Sequence, residues 1–196
     1  MSIKHLAQKG KSSEMFQRVH RHALAKRRCV VAKYAKDNRQ LQETFKSVQI
    51  SMEGGNNGNN DSSKQENKYL KVEAIQQISQ LDGMVDQVDV IGIDEGQFYP
   101  DLVERVEAYL RKDKIIVISA LDGTFERKPF GQIPELIPLC DDVIKLKAIC
   151  MRCGDDAPFS HRLVQSKQIE LVGWKDLYEP LCRHCYVKLN FSDDKI

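Results

Sequence analysis

No run of about 18 apolar residues occurs in this 196-residue chain, so nothing in it reads as a membrane-spanning helix. The N-terminus Met-Ser-Ile-Lys-His lacks the apolar stretch of a signal peptide. Both absences predict an intracellular, cytoplasmic protein without a membrane partner. Excess charge is nearly absent too: Lys plus Arg number 30 against 28 for Asp plus Glu, too small a surplus to imply a nucleic-acid partner. Any anionic ligand must therefore be held locally. No internal repeat is present. A hydrophobic fraction of 41% and a charged fraction of 30% exclude a fibre or a wholly disordered chain. The length allows one sizeable core and a small appendage.

What is present is an alternation of helical and strand patterns. Ser12 to Leu24 carries Met15, Val19 and Ala23 at four-residue spacing beside Phe16, which predicts a helix with one apolar side. Cys29 to Tyr34 is β-rich and ends in a turn-like Lys-Asp-Asn-Arg. Glu53 to Asn67 holds only Gly, Asn, Ser and charged or amide residues, too little apolar surface to offset ordering entropy, and reads as a disordered loop. Tyr69 to Leu81 places Val72, Ile75 and Ile78 three apart, the spacing of an amphipathic helix. Val88 to Asp94 and Lys114 to Leu121 read as buried parallel strands with a helix at Asp101 to Arg111 between them. A further strand, Val143 to Ile149, runs into the first cysteine pair. The order of elements predicts a doubly wound α/β domain.

In a reducing compartment six cysteines are thiols or metal ligands rather than a disulfide framework. Cys150-Met-Arg-Cys153 and Cys182-Arg-His-Cys185 form two C-x-x-C knuckles, the donor set of a tetrahedral structural zinc site; four buried free thiols are the competing reading. A closed four-cysteine site has no open coordination position, so it would hold a subdomain together and do no chemistry. Cys29 and Cys140, each in an apolar setting, read as core residues.

Asp94 and Glu95 close an apolar strand, and open α/β sheets bind ligands at the carboxyl ends of their strands. Such a pair can place magnesium and take a proton from an attacking hydroxyl; two solvated acids at a turn is the alternative. Gly10-Lys11-Ser12 opens the first helix and matches the end of G-x-x-x-x-G-K-[ST], in which Lys meets phosphate and Ser meets magnesium. His5 stands where that motif has its first glycine, and only Met1 to Lys4 lie upstream, so the strand before the loop is expected to be missing. Its place is expected beside the Val88 to Asp94 strand.

Asp94-Glu-Gly-Gln-Phe98, Leu121-Asp-Gly-Thr-Phe-Glu-Arg-Lys-Pro-Phe130 and the two cysteine knuckles stand in the order seen in thymidine kinases of the cellular type, type II, and the chain resembles that family. The likeness is close from Val88 to about Lys188 and looser over Gly10 to Arg39, where Lys33 to Arg39 resembles the loop after the family's second strand. Between Gln40 and Gln87 little matches.

The resemblance implies a P-loop-type α/β kinase domain over 1–149, a zinc-binding lasso subdomain over 150–190 and a tail over 191–196. It implies transfer of the ATP γ-phosphoryl group to the 5′-hydroxyl of thymidine, giving dTMP for DNA synthesis, with magnesium and a structural zinc, in a homo-oligomer (dimer or tetramer). Glu95 falls on the family's general base. Gly10, Lys11, Ser12, Asp37, Arg39, Asp94 and Gln97 fall on the ATP and magnesium side. Phe98, Phe125 and Phe130 fall on or beside the thymine pocket, although core packing is an equal reading of Phe130 alone. Ile169, Glu170, Leu171, Val172 and Gly173 form the lasso, with Tyr178 closing it. The substitution at His5, the missing strand and the Asn-Gly tract carry an alternative, a catalytically impaired thymidine-binding relative with a degenerate P-loop. A zinc-ribbon nucleic-acid binder is disfavoured by Glu170, Asp176 and Glu179 in the zinc region.

Overall fold

Runs of β-branched residues set the centre of the molecule. Strands β2 (Cys29–Tyr34), β4 (Val90–Ile93) and β5 (Ile115–Ala120) are buried on both faces over most of their length, as parallel strands between helices are. The structure, a computed structural model, describes residues 2–6, 10–36, 68–164 and 177–191. With β1 (Ser2–Leu6), β3 (Leu70–Ile75) and β6 (Asp142–Leu146) they form a six-stranded sheet of order β3-β2-β4-β5-β1-β6. Every pairing in it is parallel.

Side-chain alternation sends each strand's residues to two cores. On one face, helix α1 (Lys11–Leu24) buries Met15, Phe16, Val19 and Ala23 against Val31, Val90 and Val117. On the other, Leu102, Val106 and Tyr109 of helix α2 (Leu102–Leu110) pack with Ile91, Ile93, Ile116 and Ile118. Each such aliphatic side chain stabilises the fold by about 1.5–3 kcal/mol relative to exposure. The result is a three-layer α/β/α arrangement with a parallel central sheet.

Three expectations need correction or refinement. The first strand is not missing: Ser2–Leu6 pairs with β5 through Ser2↔Val117 to His5↔Ala120 and with β6 through Ser2↔Asp142 to Leu6↔Leu146. It therefore lies between β5 and β6 and not beside β4. A ladder is made by backbone groups, so five residues with only two aliphatic ones suffice to close that interior gap. His5 is part of this strand.

Tyr69 to Leu81 is not a helix. Leu70–Ile75 pairs in parallel with β2 as the sheet's edge, and Ile78–Leu81 forms a separate 3-10 turn. Leu70 and Val72 alternate with Lys71 and Glu73, a period of two that the three-residue spacing obscured. Asp101 satisfies the turn's opening amides, its carboxylate accepting from Ile78 N at 2.9 Å and Ser79 N at 2.8 Å.

The Val143 to Ile149 segment is divided. β6 ends at Leu146, and β7 (Ala148–Ile149) pairs antiparallel with β8 (Asp156–Ala157) around the first knuckle. β9 (Phe159–Arg162) and β10 (Tyr178–Leu181) form a second hairpin, followed by helix α4 (Arg183–Phe191). Cys150, Ala157, Leu181, Cys182 and Tyr186 are the small core of this C-terminal module. A short helix α3 (Ile133–Leu136) precedes β6. The Glu53 to Asn67 tract lies outside the described residues.

Candidate active site and cysteine cluster

At the carboxyl end of β4 the chain leaves the ladder with two acids. Asp94 still donates its N–H to Ala32 O at 2.9 Å, and Glu95 then turns with φ 51° and ψ 47°, a left-handed conformation rare for a residue with Cβ. Both side chains are buried. Buried carboxylates need partners. Asp94 Oδ1 accepts from Ser12 Oγ at 2.8 Å and Ser119 Oγ at 2.5 Å, with Lys33 Nζ 3.9 Å from Oδ2. Burial, followed by the neighbouring Glu95 charge, pushes the Asp94 carboxyl above its ordinary range, while the two hydroxyls and Lys33 pull it back.

Glu95 is met from two sides. Lys11 Nζ lies 3.3 Å from its Oε2, and Gln97 Nε2 donates to the same oxygen at 2.6 Å. Lys11 is itself only 3% exposed, so this ammonium is held inside the protein opposite an acid. Gly10, at φ +94°, supplies the bend from which α1 starts, bringing Lys11 and Ser12 to the two carboxylates. The other end of Gln97 accepts from Leu121 N at 2.9 Å. Its amide thus ties Glu95 to the start of the 121–130 loop.

Phe98 follows immediately and stacks on Tyr34, centroids 5.0 Å apart, while Phe130 meets it edge-on at 5.6 Å. Gly131 permits that approach, because a Cβ there would collide with the Gln97 carbonyl oxygen. Phe125 is held by different groups. Its carbonyl accepts from Tyr186 Oη at 2.7 Å, and the Arg162 guanidinium lies 3.7 Å from its ring centroid. Arg162 Nη2 also donates to Tyr178 Oη at 2.5 Å. Asp37, Arg39, Ile169, Glu170, Leu171, Val172 and Gly173 lie outside the described residues.

The sulfurs of Cys150, Cys153, Cys182 and Cys185 all lie within 4.8 Å of one another, with Cys153 and Cys182 3.5 Å apart. Tetrahedral bonds of about 2.3 Å to zinc would need sulfurs about 3.8 Å apart, so the donor set fits that metal. Burial would raise the Cys150 thiol, but N–H groups of Cys182, Arg152 and Cys153 outweigh it and bring the thiol down to about 6. One thiolate is thereby favoured at neutral pH, whereas Cys153 is raised, the pull of the Asp155 N–H being outweighed by the Cys182 thiol and burial, and Cys185 is raised first by burial. The spacing of the knuckles in sequence is matched by their convergence in space.

Sequence reasoning overlooked Ser119 and Arg162 and gave Lys33 no role of its own. Ser119 had a signal: it is the only hydroxyl in the apolar run Ile115 to Leu121, on the strand beside Asp94. Lys33 likewise interrupts an apolar strand. Arg162 had none, since its partners Phe125 and Tyr178 come from other segments.

Fold and site together define a class: a parallel-sheet α/β protein with a buried Lys–carboxylate centre at the strands' carboxyl ends and a cysteine-clustered module alongside. A family model for thymidine kinase matches residues 6–186, a range that includes the Gln40 to Gln87 stretch where the sequence reading finds little likeness. The thymidine kinases of vaccinia virus (strain Ankara), variola virus and monkeypox virus are 42%, 41% and 40% identical over 178 residues, covering 91% of this chain and 90% of each relative. The chain belongs to the thymidine kinase family. It is a kinase that phosphorylates thymidine, with ATP as the donor general to the family. Nothing favours the catalytically impaired alternative. Among the described residues no helix is long and apolar enough to cross a membrane.

Proposed function

We propose that Glu95 is the general base of this thymidine kinase and that Gln97 positions it. The observation that carries this reading is the two-sided hold on Glu95 Oε2, by Lys11 at 3.3 Å and Gln97 at 2.6 Å. In the reaction the thymidine 5′-hydroxyl gives its proton to Glu95 as its oxygen bonds to the γ-phosphorus, and the bond from that phosphorus to the bridging oxygen breaks to release ADP. Lys11, buried beside Glu95, would meet the phosphate charge that accumulates in the reaction. Ser12 and Asp94 would hold magnesium, which when bound supplies charge neutralisation at the phosphates. Gly10, Asp37 and Arg39 complete the ATP side. The nucleoside side comprises Phe98, Phe125, Phe130, Tyr178 and the lasso Ile169 to Gly173.

The module from Cys150 onward holds one structural zinc, and the chain divides at 149/150 into a P-loop-type kinase domain and a zinc-bound lasso. We place the enzyme in the cytoplasm as a homo-oligomer, without nucleic-acid or membrane partners. Replacing Glu95 with Gln tests the central assignment. The variant keeps size and hydrogen bonding but loses the proton acceptor, so kcat should fall by roughly 10²–10⁴-fold with thymidine affinity little changed. Wild-type turnover in that variant would move the base elsewhere.

A further inference from the structure

The neck of the 163–177 segment is a two-stranded rung. Tyr178 lies directly opposite Arg162 in the β9–β10 hairpin, and Leu163 N donates to Leu177 O at 2.9 Å just beyond it. The chain therefore leaves and re-enters at one point, and Arg162 stands there. Its side chain is 8% exposed. Burying a guanidinium is costly unless its surroundings compensate. Here they do so with two aromatic residues from separate segments: the Phe125 ring at 3.7 Å, and Tyr178, whose ring centroid lies 5.2 Å away and whose hydroxyl accepts at 2.5 Å.

A flat guanidinium can stack through its face and donate in its plane at the same time, which a lysine ammonium cannot do. Arg162 uses both capacities at once. The residue it stacks on sits at the tip of a narrow loop, closed by Thr124 N to Lys128 O at 2.9 Å and by the Gly123↔Pro129 bridge. The carbonyl of Phe125 is fixed from the same C-terminal module by Tyr186 Oη. Ring and backbone of this loop tip are thus both gripped by residues that flank the cysteine cluster in sequence.

We infer that Arg162 is a positioning residue for the nucleoside pocket: it fixes Phe125 against the neck of the 163–177 segment and so sets the aromatic wall that receives the pyrimidine base. This rests on the reading of Phe125 as part of that wall. Phe125 and Tyr178, which Arg162 joins, are both residues of that wall and neck, so its influence is expected on thymidine binding.

Steady-state kinetics of the full-length enzyme separate the possibilities. Arg162→Met keeps the aliphatic length and removes both the cation and the donors. Thymidine KM should rise about tenfold or more, while kcat and the KM for ATP stay within about twofold. Arg162→Lys keeps the charge without the flat fork and should give an intermediate thymidine KM. It also serves if the Met variant does not fold, because a selective rise in thymidine KM is then required of it alone. Phe125→Leu should raise thymidine KM as well. A Phe125→Leu enzyme with unchanged thymidine KM would overturn the pocket reading itself. If Phe125→Leu raises that KM but neither Arg162 variant does, or if the Arg162 variants alter kcat and both KM values alike, the inference about Arg162 is wrong and the pocket reading stands.

Discussion

Charged side chains at the carboxyl edge of the sheet are held by the elements they grow from, whereas the aromatic groups around Phe125 are held by residues from a different module. Asp94 and Glu95 follow β4 directly, Lys11 and Ser12 open α1, and Ser119 belongs to β5. All of these elements carry core residues that are fully buried. Phe125, by contrast, sits at a loop tip where its ring meets the Arg162 guanidinium and its carbonyl accepts from Tyr186 Oη. The first arrangement is set by sheet formation itself. The second depends on a small module whose own core contains only a handful of buried residues, two of them cysteines. An acidic edge built into the sheet and an aromatic cluster supported from another module should fail under different insults.

Metal removal is the strongest way to break that comparison. Purified protein should contain about one zinc per chain, and chelation should raise thymidine KM by about tenfold or more before the sheet melts. Circular dichroism with thymidine calorimetry on the same sample checks it; simultaneous loss of sheet and binding would mean that the two regions are one cooperative unit.

A smaller effect, on the other region, is expected from Gln97→Met. The side chain keeps its length but no longer donates to Glu95 or accepts from Leu121 N. We expect kcat to drop about tenfold, and to drop no further when the same change is made in the Glu95→Gln enzyme. An undiminished effect in that background would show that Gln97 acts on something other than Glu95.

The smallest effect concerns stability. The Asp94 carboxyl is raised above its ordinary value of 3.8, first by burial and then by Glu95. A raised carboxyl means that the fold disfavours the ionised form, so the destabilisation is present above the shifted value and absent below the ordinary one. Asp94→Asn should therefore raise Tm at neutral pH by about a few degrees, with the advantage shrinking as pH falls toward about 4. A gain that grew on acidification would reverse the sign of this account.

The same contrast explains what could be read from sequence. The placement of Asp94 and Glu95 at a strand end and the convergence of the four cysteines were legible because each set is local: adjacent residues, or paired thiols with two residues between them that must converge if a metal is to be bound. Helix α1 and strands β2, β4 and β5 were legible from apolar periodicity over six or more residues or from unbroken β-branched runs. β1 was not, because its stability comes from backbone pairing on both sides and its five residues carry little pattern. β3 misled because Val72, Ile75 and Ile78 fall three apart across two different elements, a strand and a 3-10 turn, while the two-residue alternation around Leu70 and Val72 is too short to stand out. Arg162 was invisible because its environment is assembled from segments far apart in the chain.

Glu95 holds a left-handed backbone conformation that costs a residue with a Cβ about 1–2 kcal/mol. Glycine or asparagine would sit there more comfortably, so a stabilising change at position 95 would remove the carboxylate that Lys11 and Gln97 hold, and on the proposed role of Glu95 the proton acceptor with it. The fold therefore carries a standing conformational cost at Glu95. Stability that offsets this cost must come from elsewhere in the fold, such as the two cores that flank the sheet.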